Sequence, residues 1–315
     1  ETKMSKKVVM ALGGNAILQP GQSGTYENQL DNVKKSAEII TRIVKKGHSV
    51  ILTHGNGPQV GNILRQNEEA SEVVPPFPLD VCSAESQGFI GYMLDQSLKN
   101  EFKKTGITNE VVSMLTQTEV SKEDPAFENP TKPIGLFYSE EEAKQLAEEK
   151  NWVIKEDAGR GWRRVVASPK PQSILGSDII KLLTDQEVVV IASGGGGIPV
   201  IKNEQEAYEG IEAVIDKDRS AFKLAEEVNA DILMILTDVP NVYINYGKPD
   251  QQILEKISVT EAKDYIAQGQ FASGSMGPKV EAAVAFAEKG SKAVICSLEE
   301  ADLALEGKAG TTIVK

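Results

Sequence analysis

Apolar residues fall along this chain in short unbroken runs. Val8–Leu12, Val50–Thr53, Val111–Leu115, Val188–Ser193, Ile232–Thr237 and Ala293–Ser297 are rich in β-branched residues, and glycine or polar residues follow each of them. Runs without alternation suit strands buried on both faces, which is the condition of a parallel sheet. Between the runs, apolar positions recur at helical spacing. Leu30, Val33, Ala37, Ile40 and Val44 share one face of a helix that Gly47 should end. Leu224, Ala225 and Val228 form a second stripe after Asp218. Ala283, Val284 and Ala287 form a third, in a helix expected over 280–289 and closed by Gly290. Strand and helix alternate throughout, which predicts an α/β fold: a three-layer αβα sandwich around an open, mainly parallel β-sheet.

One region breaks the rhythm. From about Glu119 to Pro171 the chain is rich in proline, glycine and charge, and it holds both tryptophans, Trp152 and Trp162. Proline restricts itself and its predecessor to extended conformations, which argues against a core strand or helix here. The expectation is a small subdomain or lid standing off the sheet, with a plain surface insertion as the alternative.

Composition narrows the class. At 315 residues two lobes are the natural expectation. Hydrophobic residues at 40% and charged residues at 25% fit a globular chain. A net charge of −12 argues against nucleic acid as a partner, because such binders need a basic surface. A few local lysines can still hold a phosphate. Cys82 and Cys296 form neither a disulfide framework nor a metal-binding spacing, so a reducing cytoplasm is expected. No apolar stretch approaches the length of a membrane span or a signal-peptide core.

Glycine clusters mark the strand ends: Gly13-Gly14-Asn15, Gly55-Asn56-Gly57, Gly194-Gly195-Gly196-Gly197, and Gly274-Ser275-Met276-Gly277 ahead of Lys279. Ligands of open α/β sheets sit beyond the carboxyl ends of the strands. Glycine there lets backbone N–H groups approach phosphate oxygens. Each cluster alone also suits a tight turn, but their recurrence implies an anion site. The spelling excludes a P-loop and a protein-kinase set, makes a dinucleotide fold a poor fit, and offers no esterase elbow.

Phosphoryl transfer needs cations around the migrating group and a carboxylate to order them. Lys132, Lys217 and Lys279 have loop-like contexts, and Lys217 lies between a short strand expected over 213–215 and a helix. Lys279 follows a Gly-Ser-Met-Gly-Pro turn. It opposes the helix dipole, so helix stability does not explain it. Ordinary surface lysines remain the alternative, as helix capping does for Asp218. His54 adjoins the Gly55 cluster and reads as a structural histidine. The stretch 242–249, with Tyr243 and Lys248, suits either an adenine-covering loop or a hairpin edge.

Together these residues resemble a known family. The segments 11–16, 54–61, 129–133 (Asn-Pro-Thr-Lys-Pro), 156–163 (Glu-Asp-Ala-Gly-Arg-Gly-Trp-Arg) and 214–218, and Gly274-Ser275-Met276 with Lys279, are similar to the carbamate kinases of the amino-acid-kinase fold. The resemblance spans essentially the whole chain, and the proline and tryptophan motifs are specific to that branch. It implies reversible transfer between ATP and carbamate, giving ADP and carbamoyl phosphate, with Mg²⁺ and run toward ATP in arginine breakdown. It further implies a homodimer, a carbamate lobe over 1–213 that includes the protrusion at about 119–171, and a nucleotide lobe over 214–315.

The resemblance also assigns roles. Lys132, Lys217, Asp218 and Lys279 would be catalytic. Gly13, Gly14, Asn15, Gly55, Asn56, Gly57, Gly195 and Gly196 would hold substrate and phosphate. Asp238, Tyr243, Lys248, Ser275 and Met276 would hold nucleotide. Ala11 stands where related kinases carry a lysine, so that cation must come from elsewhere, and Lys132 on the protrusion is the candidate. The rival readings are another small-acid kinase of the same fold, acting on acetylglutamate, glutamate or aspartate, and a non-catalytic nucleotide-binding protein.

Overall fold

A computed structural model describes residues 4–157, 159–271 and 276–315. Its centre is an eight-stranded sheet in the order Lys256–Ser258, Thr311–Val314, Lys292–Ser297, Ile232–Thr237, Lys7–Leu12, Ser49–His54, Val189–Ile191, Val111–Ser113. Neighbours run parallel except Lys292–Ser297 against Thr311–Val314. All six apolar runs lie in this sheet. The strands that the runs did not announce, Lys256–Ser258 and Thr311–Val314, sit at one edge, where half-exposed residues blur the signal.

The unbroken apolar runs serve both faces at once, because successive strand side chains point to opposite sides. Val8, Met10 and Leu12 meet Val33, Ala37 and Ile40 of the helix Tyr26–Lys45 and Ile90, Met93 and Leu94 of the helix Leu79–Thr105. Val9 and Ala11 meet Ala221, Leu224 and Ala225 of the helix Lys217–Glu227 and Val280, Ala283 and Val284 of the helix Met276–Ala287. Each fully buried aliphatic side chain contributes about 1.5–3 kcal/mol. The three layers therefore follow from the pattern. The helix Tyr26–Lys45 starts at Thr25, whose side chain accepts a hydrogen bond from the Asn28 N–H, and the chain turns at Gly47 with φ +92°.

Two local expectations are corrected. The stretch 213–215 is not a strand: only Ala213 bridges, to Ala167, and the residues after it form a wall of the site instead of extending a sheet. The last long helix starts by Met276 and ends at Ala287, so Met276-Gly277-Pro278 are helical, and Lys279 stands in the first described turn.

The four sheet strands from Lys7–Leu12 outward to Val111–Ser113 all precede residue 213, and the other four follow it. A four-stranded sheet, Tyr208–Gly210, Ile198–Lys202, Gln117–Glu119 and Ser173–Ile174, flanks the first half. The protruding segment leaves and returns through it, Glu119 being paired with Ser173. Beyond that root the segment has its own architecture. Strands Lys132–Tyr138, Trp162–Val166 and Val153–Glu156 form an antiparallel sheet carrying the helix Glu140–Lys150. Pro133 is tolerated because its strand is at the edge. The helix carries a complete capping box between Ser139 and Glu142, a signal that the proline-rich composition masked.

Candidate active site

The carboxyl ends of the central strands deliver three of the glycine clusters, at Gly13-Gly14, Gly55-Asn56-Gly57 and Gly195, to one rim, while the cluster that starts at Gly274 lies partly outside the described residues. Two adjoining cavities of about 530 and 560 Å³ open there and share Gly14, Lys217 and Lys279. The larger is also lined by Gly55, Asn56, Gly57, Lys132, Arg163, Gly195 and Asp218. The smaller is lined by Gly13, Asn15, Lys35, Thr237, Asp238 and Ser297, among others.

Between the cavities sits an ion cluster. Lys217 Nζ donates to Asp218 Oδ1 at 2.9 Å, and Lys279 Nζ to Asp218 Oδ2 at 3.0 Å. Asp218 is 3% exposed and Lys279 5%. Asp218 reaches them because it does not cap its helix. Asp216 does, accepting from the Asp218 and Arg219 N–H groups at 2.9 and 3.0 Å. Capping as the explanation for Asp218 thus fails, and its carboxylate is left for the lysines.

Burial works to raise the Asp218 pKa, but the two ammonium groups outweigh it and hold the carboxyl below its usual range. Burial pushes the Lys217 ammonium down, with Asp218 opposing and Lys279 adding to the fall. Two cations sharing one anion leave the cluster with a surplus positive charge facing the cavities. Such a site attracts phosphate.

Gly13 packs so tightly that a Cβ would stand 2.9 Å from the Leu236 carbonyl oxygen, so only glycine lets the first strand's end lie against its neighbour. Gly196 adopts φ +91°, and a Cβ there would lie 2.3 Å from the Ile215 carbonyl oxygen. That contact fixes the wall preceding Asp216 and Lys217. Asn56 is buried, and its side-chain amide donates to Ser86 Oγ at 3.0 Å. The helix Gly57–Glu69 that it precedes consequently has no side-chain cap. Its open N-terminus faces the larger cavity with Gly57 to Gly61, which is the geometry that helix ends offer an anion.

Of the residues singled out by sequence, Lys132, Lys217, Asp218, Lys279, Gly14, Gly55, Asn56, Gly57 and Gly195 line the larger cavity. Gly13, Asn15 and Asp238 line the smaller. Gly196 lies behind the wall, supporting Ile215. Tyr243 and Lys248 belong to a hairpin of Val242–Ile244 against Gln252–Leu254, with the Tyr243 and Tyr246 rings 5.7 Å apart. Neither they nor Met276, which packs on the core, line these two cavities. Ser275 lies outside the described residues. His54 is buried and held by burial at a pKa of about 4, its Nδ1 2.8 Å from the Gly55 carbonyl oxygen. It is a structural residue.

Sequence reasoning passed over several lining residues. Arg163 stood in a quoted motif without a role. It faces the larger cavity, donates to the Gly135 carbonyl oxygen at 3.1 Å and lies 3.4 Å from Asp157, and its buried Nε has no hydrogen-bond partner. Lys35 reaches the smaller cavity from the helix Tyr26–Lys45, where it reads as one more surface lysine. Among the described residues no group of His, Cys, Asp and Glu side chains is placed to hold a metal ion. Both cysteines are free and buried, and burial pushes the Cys82 thiol up to about 11. No helix among the described residues is long and apolar enough to cross a membrane.

Comparison with known proteins follows the same lines. The model of the amino acid kinase family matches residues 6–297. A carbamate kinase of Pyrococcus furiosus is 54% identical over 314 residues, covering 99% of this chain and 100% of that protein. One of Clostridium perfringens is 49% identical, covering 98% of this chain and 100% of that protein. The solved carbamate kinase of Giardia lamblia bound to AMP-PNP superposes with a TM-score of 0.95 at 50% identity, covering 99% of each chain.

Proposed function

The chain belongs to the amino acid kinase family, and from that premise we propose how its site transfers a phosphoryl group between ATP and carbamate. Its activity is that of a carbamate kinase, a nucleotide-using phosphotransferase. The observation that carries the mechanism is the buried Lys217–Asp218–Lys279 cluster at the junction of two cavities.

The larger cavity receives carbamate or carbamoyl phosphate. Backbone N–H groups at Gly13, Gly14, Gly55, Asn56 and Gly57 take the phosphoryl oxygens, and the open helix N-terminus at Gly57 adds its dipole. Asn15 orients the acid, while Gly195 leaves room beside Asn56 and Gly196 supports the wall. Lys132 and Lys217 neutralise charge on the migrating group, with Arg163 as a third cation beside it. Lys279 follows the charge to the leaving phosphate. Asp218 is ionised and engaged by both lysines, so it positions them and does not act as a base. None is needed, because carbamate is already an oxyanion.

Thr237 and Asp238 mark the nucleotide side, with Tyr243, Lys248 and Met276 extending it; a nucleotide contact by Ser275 rests on the sequence motif alone. The lobes divide near residue 213, each carrying half of the main sheet. Mg²⁺ enters on the nucleotide phosphates as part of the substrate, since such ions bind largely through phosphate and water. The protein works as a homodimer, in the cytoplasm, toward ATP in arginine breakdown. Light scattering at twice 34.1 kDa would support the dimer, and a single-chain mass would refute it.

The deciding test is ATP formation from ADP and carbamoyl phosphate with Mg²⁺, beside an Asp218→Asn control. Turnover that the control loses supports this mechanism. Equal turnover by the control removes Asp218 from it. Activity with acetylglutamate, glutamate or aspartate in place of carbamate moves the chain to another small-acid kinase.

A further inference from the structure

The strand Trp162–Val166 carries two adjacent arginines with opposite tasks. Successive strand side chains face opposite ways. Arg163 lines the larger cavity. Arg164 points instead to the seam where the protruding subdomain meets the body of the protein. It forms an ion pair with Glu212 and lies 4.6 Å over the Trp152 ring. Its side chain is 14% exposed, against 52% for Glu212.

A second polar contact crosses the same seam. Tyr138 Oη donates to Glu68 Oε2 at 3.2 Å, and Tyr138 packs 6.4 Å from Trp152. Burial pushes the Arg164 guanidinium down, and Glu68 is close enough to oppose that fall. Between these contacts Ile134 and Val166 of the subdomain bury against Val60 and Leu64 of the helix Gly57–Glu69.

The two anionic partners sit on functional stretches of the body. Glu68 is in the last turn of the helix whose N-terminus faces the cavity, and Glu212 immediately precedes the wall that leads to Lys217. A guanidinium withdrawn from water needs its counter-charges, and here both belong to the other side of the seam. Undocking would strip Arg164 of both. An exposed pair is weak by itself, but this one has its cation partly buried and is seconded by Tyr138 and an apolar contact.

We propose that Arg164 is a positioning residue: with Tyr138, Glu68 and Glu212 it latches the subdomain to the body so that Lys132 and Arg163 stand over the cavity. The proposal rests on the phosphoryl-transfer reading above and adds what holds the lid cations in place. If docking makes the site competent, loosening the latch lowers the competent fraction and weakens apparent binding of the lid-side substrate in proportion. Nucleotide held on the other half is little affected.

The test uses Arg164→Met, which keeps a long stem against Trp152 and removes the charge. Relative to wild type, kcat/KM for carbamoyl phosphate should fall at least about tenfold. The ADP dissociation constant, measured without carbamoyl phosphate, should change less than about twofold. Glu212→Gln should act in the same direction, and the double variant should lose less than the product of the single losses. Hydrogen exchange should quicken over 132–138 and 153–166, with the eight-stranded sheet unchanged. A kcat/KM within twofold of wild type, or exchange quickened evenly across the main sheet, overturns the latch. Should the wild type itself not turn over carbamoyl phosphate, the functional reading fails, and the exchange pattern alone still decides whether Arg164 docks the subdomain.

Discussion

At Asp218 both carboxylate oxygens are taken by ammonium groups, one from the preceding residue and one from a helix 61 positions further along the chain. Lys279→Ala should lower kcat by about 10²–10³, the usual loss for one charge contact to a transferring group. Circular dichroism should show the fold intact, and near-normal turnover would remove Lys279 from the mechanism. His54 supplies a prediction about pH. Its folded pKa of about 4 lies below the ordinary 6.5, so the unfolded chain binds the extra proton first. Stability is therefore complete above pH 6.5 and is lost as pH falls toward 4, by up to about 3 kcal/mol. Urea unfolding at pH 4.5 and 7 should show this slope in wild type and a smaller one in His54→Gln. Equal slopes would exclude His54 as the source.

Among elements, the wall 213–216 is held less by pairing than by close approach. Gly196→Ala would add a Cβ 2.3 Å from the Ile215 carbonyl oxygen at a φ of +91°. Strain of this kind costs about 1–3 kcal/mol, and relief requires the wall to move, carrying Lys217 with it. A lowered Tm with kcat reduced out of proportion is expected. A variant with wild-type Tm and turnover would show that the wall tolerates the shift. The capping box of Glu140–Lys150 shows that the protrusion contains locally specified structure. It was legible at Ser139 and Glu142, and only the proline-rich surroundings argued against it. The strand Thr311–Val314, next to the sheet edge, had no comparable signal, since its partly exposed residues mimic a loop.

Across the whole molecule, the subdomain's entry and exit are adjacent, Glu119 pairing with Ser173. Replacing residues 121–170 by a short glycine-serine link should therefore leave the eight-stranded sheet standing. Calorimetry should find ADP binding within about threefold of wild type, while turnover falls at least about 10²-fold with the loss of Lys132 and Arg163. Turnover preserved in that deletion would place the chemistry entirely on the main body.

What was written locally could be read locally. Unbroken apolar runs announced the doubly covered strands, helical stripes announced three of the helices, and three glycine clusters announced the rim at the strand ends. Each depends on residues a few positions apart. The tertiary structure alone decided that Asp216 caps the helix and frees Asp218, and that Asn56 turns to Ser86 and leaves a helix end open. It also decided that Arg163 faces the cavity while Arg164 faces the seam. Those outcomes depend on which distant segments the sheet order and side-chain packing bring together. Such contacts are selected by the global burial of apolar surface, and a local spacing carries no record of them.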